Sequence, residues 1–167
     1  MHRDEIVKEH LAPLFRFAWA LSGNDSAAVE LAQQVLMDDS WSHHADNPRA
    51  AQIDLFTTAY RCFTGGEQLP VPPAHDRLAL MGQDSLHYAE NLTSNSLLKS
   101  FRELELPQRA ALVLFYTTQC SIHEIATVLH RSKDETVAVI ARGKAEWLHI
   151  LQREGTRASD TQEERNS

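Results

Sequence analysis

Apolar residues recur at helical spacing through most of this chain. From Asp4 to Leu21, the positions Ile6, Leu14, Phe17, Ala18 and Leu21 fall on one helical stripe, which predicts a first helix. Ser22-Gly23-Asn24-Asp25 then carries a stop followed by a cap. Glycine tolerates the backbone that ends a helix, and asparagine or aspartate accepts an amide that begins one. Ala28, Leu31, Ala32, Val35 and Leu36 give a second stripe, predicted to run to about Trp41. Ser42 to Asn47 is polar and turn-like. Asn47 before Pro48 reads as an N-cap with proline in the first turn, where its missing N–H costs nothing. A third helix follows through Ile53, Phe56, Tyr60 and Phe63. No stretch alternates as a strand does, so the expected fold class is all-α.

Gly65-Gly66 stops the third helix, and Pro70, Pro72 and Pro73 prevent its resumption. The sequence therefore predicts a first helical domain over residues 1–64 and a linker over 65–92, with a short helical turn near Arg77 to Met81. A second helical domain is expected over 93–153. It opens with Thr93 or Ser94 as a cap before Leu97, Leu98, Phe101 and Leu104. Pro107 starts a helix holding Ala111, Leu112, Leu114 and Phe115. Ser121-Ile122-His123-Glu124 and Ser132-Lys133-Asp134-Glu135 are two capping boxes, in which the serine accepts an amide and the glutamate reaches back. Only residues 122–131 separate them, so two short helices meet at a tight turn, the outline of a helix-turn-helix. Residues 154–167 are polar without an apolar face and are expected to be disordered. The expected core includes Phe17, Leu31, Val35, Phe56, Tyr60, Leu112, Ile125, Leu129 and Ile140.

Composition narrows the function. Of 167 residues, 43% are apolar, enough for a core, and the formal net charge is -7. That charge opposes indiscriminate binding to nucleic acid or an anionic membrane, while leaving room for a local basic patch. Cys62 and Cys120 lie far apart and form no CxxC pair, so they read as free thiols. The first residues lack the apolar stretch of a signal peptide, and no apolar run would span a bilayer, so a cytoplasmic location is expected. His43, His44 and Asp46 fit no zinc spacing. Asp38-Asp39 sit on adjacent helical positions that diverge by about 100 degrees, and so do not converge on one atom. There is no glycine-rich phosphate loop and no nucleophile elbow. No catalytic residue, metal or cofactor is expected, and an enzyme is the remote alternative.

With these elements in place, the chain resembles the extracytoplasmic-function (ECF) sigma factors. Leu14-Phe15-Arg16-Phe17-Ala18 with Leu21-Ser22-Gly23 resembles the opening of sigma region 2, and Leu31-Ala32-Gln33-Gln34 follows at the family's distance. Asn47-Pro48-Arg49-Ala50 resembles the start of the helix that reads the promoter -10 element. Leu106-Pro107-Gln108-Arg109, then Ser121, Glu124-Ile125-Ala126, Leu129 and Ser132, resembles region 4, whose last helix enters the -35 major groove. The resemblance covers roughly Glu9 to Gln152. It implies two small helical domains on a linker. It also implies contacts with RNA polymerase core or an anti-sigma factor through Arg16, Glu30, Gln33, Gln34 and Asp38.

The chain departs from the family where the family meets DNA. The -10-like helix offers Arg49, Gln52, Asp54 and Arg61, with few of the usual basic and aromatic residues. In the recognition helix, which carries Ser132, Lys133, Val137, Val139, Arg142 and Lys144, Val137-Ala138-Val139 stands where a basic run is typical. Gln34, Asp38 and Trp41 also depart from the polymerase-facing pattern. These departures are similar to those in the sigma-like domain of PhyR-type general-stress response regulators, notably around Leu55-Phe56-Thr57 and Tyr60. That domain captures an anti-sigma factor. The resemblance therefore implies a divergent sigma-like regulator acting mainly through protein contacts, with weak promoter binding. The alternative is an active ECF sigma factor that directs core polymerase to -35/-10 promoters.

Overall fold

The computed structural model describes residues 3–38, 41, 46–65 and 100–165. Among them every regular element is helical and no strand occurs. The predicted linker beyond Gly65, the turn near Arg77, the caps at Thr93 or Ser94, and His43-His44 lie outside the described residues.

Helix α1 spans Arg3–Ser22 and α2 spans Asp25–Met37. Between them Gly23 takes a φ of 71°, the left-handed conformation glycine adopts without a Cβ clash. Asn24 caps α2 by accepting from the Ala27 amide at 2.9 Å. Helix α2 stops at Met37, short of the predicted Trp41, because Asp38 turns extended at the C-cap. Trp41 is nevertheless fully buried, so its hydrophobicity marks core rather than continued helix. Helix α3 spans Pro48–Thr64, with the Asn47 side chain accepting from Ala50 and Gly65 at its end, as the sequence predicts.

A 3₁₀ turn at Phe101–Glu103 leads to α4, Leu106–Thr117. The start of α4 is tied by the Gln108 side chain, which accepts from the Glu105 amide at 3.2 Å. Helix α5 spans Ile122–Leu129 and α6 spans Lys133–Arg165. Both predicted capping boxes form. Glu124 and Glu135 accept from the amides of Ser121 and Ser132, and each serine hydroxyl accepts in return. Helix α5 closes in a Schellman motif: the Arg131 amide reaches the Ala126 carbonyl, the His130 amide reaches Thr127, and His130 sits at φ 51°. Histidine there accepts a left-handed backbone that glycine would take at no cost, so the sequence carries no glycine signal for this turn.

Helix α6 continues through Arg165, across residues expected from their polarity to be disordered. Polarity reports the lack of a core face. It does not oppose helix growth once upstream turns have nucleated it, and Gln, Arg and Glu are good helix formers.

Helices α1, α2 and α3 pack on one another, as do α4, α5 and α6. The two sets also meet, α1 against α4 and α3 against α5, and their buried residues form one continuous apolar cluster. All nine expected core residues are buried. Phe17 and Phe56 meet edge to face, with centroids 5.2 Å apart, and lock α1 to α3. Gly143 marks the crossing of α6 over α4. A Cβ there would lie 3.1 Å from the Leu112 side chain and 3.2 Å from Gln108 Cβ.

Candidate functional site

The turn between α5 and α6 sets the geometry of the outward face. With Thr136, Ile140, Gly143 and Ile150 turned into the core, the opposite face of α6 carries Val137, Ala138, Ala141, Ala145 and Leu148. All five are exposed. Val137 is 51% exposed and Leu148 57%, which is unusual for side chains of this size. Val139 is instead half-buried and packs against the core, so the two valines separate onto different faces. Ser132 serves as the cap of α6, and Asp134 and Glu135 lie in its first turn. Glu135 is held below the usual carboxylate range by hydrogen bonds from the Ser132 amide and hydroxyl.

The basic residues of this helix have divided roles. Lys133 and Arg142 are exposed. Lys144 is half-buried, with its ammonium 4.6 Å from the Phe115 ring centroid and 5.6 Å from that of Tyr116. Tyr116 in turn sits 6.0 Å from Trp147, whose indole N–H donates to Ser100 Oγ at 2.6 Å. Aromatic neighbours at the end of α4, not visible as a motif in sequence, thus engage a lysine that the resemblance assigns to DNA.

On the first three helices the expected contact residues also divide. Glu30 is only 8% exposed and so presents almost nothing to a partner. Arg16, Gln33 and Gln34 are half-buried. Asp38 and Arg61, assigned to different surfaces by the resemblance, form an ion pair with each other at 3.1 Å. Asp54 is half-buried in α3.

Arg49 is the most heavily bonded of these residues. Its Nε donates to Glu124 Oε1 at 2.7 Å and its Nη2 to Oε2 at 2.8 Å. Nη1 donates to Gln52 Oε1 at 2.7 Å and the Thr118 carbonyl at 3.3 Å, while Nη2 also reaches the Gln119 carbonyl at 3.2 Å. An arginine has five N–H donors, and each is used here. The arrangement holds the Glu124 carboxyl down to about 2, chiefly through the Arg49 hydrogen bonds. Gln119 sits at φ 52°, so the loop whose carbonyl Arg49 holds is itself in a strained conformation. By the family resemblance Arg49 falls on a DNA-facing helix, and Glu124 reads only as part of a cap. The link across 75 positions had no local signal.

A second arginine joins the two helical sets. Arg109 Nη2 donates to the Leu21 carbonyl at the end of α1 at 2.8 Å, and Nη1 reaches the carbonyls of Arg102 and Leu104. Burial, with Arg102 beside it, lowers the pKa of Arg109.

Cys62 is half-buried and Cys120 buried, both as free thiols. Burial pushes the Cys120 thiol up, which keeps it unreactive at neutral pH. Among the described residues no three His, Cys, Asp or Glu side chains gather as a metal site, and no helix is long and apolar enough to cross a membrane. No family model matches the chain, and no curated protein matches it.

Proposed function

We propose that this chain is a sigma-like transcription regulator, with a region 2-like set of helices and a region 4-like helix-turn-helix. It acts mainly through protein contacts with an anti-sigma factor and/or RNA polymerase core. The observation that carries this reading is the outward face of α6, where a phosphate-binding surface would lie. Val137, Ala138 and Ala141 are exposed there, Asp134 and Glu135 precede them, and Lys144 is drawn back over aromatic rings. Each phosphate that a protein neutralises adds about 0.9 to the salt slope of DNA binding, so a helix whose exposed Lys133 and Arg142 are offset by exposed Asp134, Glu135 and Glu146 gains little from counterion release. An exposed apolar strip with polar flanks suits a protein partner better.

The active ECF sigma factor is the second reading, favoured by the exposure of Arg131 and Lys133 at the helix-turn-helix turn and of Arg142 farther along α6. A pull-down with the full chain from its native host separates the two. Recovery of a small anti-sigma protein supports the first reading, and recovery of polymerase subunits with promoter DNA supports the second.

A further inference from the structure

Helix α6 has 33 residues and so runs for about 50 Å, with Thr136, Ile140, Gly143 and Ile150 turned into the core. Directly opposite lie Asp134, Ala138, Ala141, Ala145, Leu148 and Gln152, all exposed. These positions alternate steps of four and three along the helix. That is the repeat by which two helices share a seam along their length. Val137 borders the seam, and it and Leu148 are large apolar side chains left exposed by the rest of the fold. The three alanines leave room for a facing helix to come close.

We infer that a second copy of this chain docks on this face, α6 against α6 in antiparallel orientation. The charges beside the seam select that occupant and that direction. Along one flank the order is Glu135, Arg142, Glu146 and Arg153, all exposed. In the antiparallel register that sets Ala141 opposite Ala145, Arg142 comes beside Glu146 of the other copy, and Glu135 comes beside Arg153. Two-fold symmetry makes each of these contacts twice, as a self-complementary patch requires. Arg153 also pairs with Glu103 of its own chain, and its five N–H donors can serve both carboxylates. In the same register Leu148 enters the space between Asp134, Val137, Ala138 and Ala141 of the other copy, a knob in a four-residue hole. Asp134 and Gln152 then face each other at the polar ends. A parallel pair would instead set Lys144 against His149 and Val137 against Arg142, with no acidic partner, and would align the two helix dipoles. The seam over residues 134–152 is about 28 Å long, a small contact of the kind that gives weak, reversible pairing. The pairing does not rest on the sigma-like reading, since it needs only the exposed strip and its flanking charges.

The test is sedimentation of the full chain alone, from about 1 to about 200 μM, with circular dichroism to confirm that each variant folds. The wild type should pass from one chain to two within this range. Leu148→Glu places a carboxylate in the seam beside Asp134 of the other copy and should raise the dissociation constant about tenfold or more. Arg142→Glu and Glu146→Arg, both on exposed positions, should each weaken self-pairing. Mixed together, these two single variants should form a heterodimer, because each then meets an opposite charge across the seam. The chain carrying both changes should pair with itself again. A wild-type chain that stays monomeric throughout would overturn the proposal and leave the strip to a different partner. So would a dimer indifferent to Leu148→Glu, or one in which the mixed charge variants show no rescue. None of these readouts needs DNA or another protein. Their failure is thus separable from failure of the sigma-like reading, which the pull-down addresses.

Discussion

Lys144 lays its ammonium over the Phe115 ring, 4.6 Å from the centroid, and so faces back toward α4. The turn of the helix at Gly143, pressed against Leu112, brings it there. A cation over an aromatic face at a part-exposed site is worth about 0.5–1 kcal/mol. Lys144→Gln is therefore expected to lower stability by about that amount in denaturant titrations. Its salt slope for duplex DNA should match the wild type. A slope reduced by about one unit would mean that Lys144 leaves the rings to meet phosphate.

The separation of the two valines gives a paired expectation. Val137→Lys places a charge on an exposed position and should leave stability within about 0.5 kcal/mol of wild type. It should also steepen the salt dependence of DNA binding, since it adds a cation to the outward face. Val139→Arg drives a long charged side chain against the core and should destabilise by more than about 1 kcal/mol. Urea titration of the two single variants checks this, and equal effects would mean that both valines share one environment.

The helices are legible because their signals are local. Asn24, Asn47, Ser121 and Ser132 each cap as the sequence predicts, and periodic apolar residues such as Phe17, Phe56 and Ile125 fill the core. What escapes the sequence depends on distant partners. Glu30 sits on a helix and looks like any surface glutamate, yet packing buries it. Asp38 and Arg61 read as separate contacts until the fold pairs them, and Arg49 reaches a carboxylate whose local role is a cap. The end of α2 is hidden for another reason: Trp41 continues the apolar pattern after the backbone has already left the helix.

Acid should weaken the junction between α3 and α5. The Glu124 carboxyl, ordinarily at 4.5, is held down to about 2 by Arg49, so the folded chain favours the ionised form. That contribution is fully present above 4.5 and is lost as pH falls from there toward about 2. Urea midpoints measured across this window should fall less in Arg49→Ala than in the wild type. Parallel curves would show that the ion pair does not contribute to folding.

His10 acts in a higher window. It is buried in α1, and its pKa lies below 6.5 because burial outweighs the opposing pull of Glu9 and of the nearby Pro48 backbone, with Arg49 adding to the lowering. The folded chain thus favours neutral imidazole, while the unfolded chain takes up a proton near 6.5. Stability is expected to fall as pH drops below that value. His10→Gln should flatten the thermal midpoint between about pH 7 and pH 5 relative to wild type. An unchanged slope would place the acid sensitivity of this range elsewhere.

Reconstituted transcription tests the proposed role most directly. The full chain is supplied to core polymerase from the same organism, and separately to a sigma factor held inactive by its anti-sigma factor. The exposed Val137 face, and Arg49 held by Glu124 rather than free, lead us to expect no promoter-dependent initiation in the first reaction and restored initiation in the second. Specific initiation by the chain with core polymerase alone would contradict the protein-contact role and establish an active sigma factor.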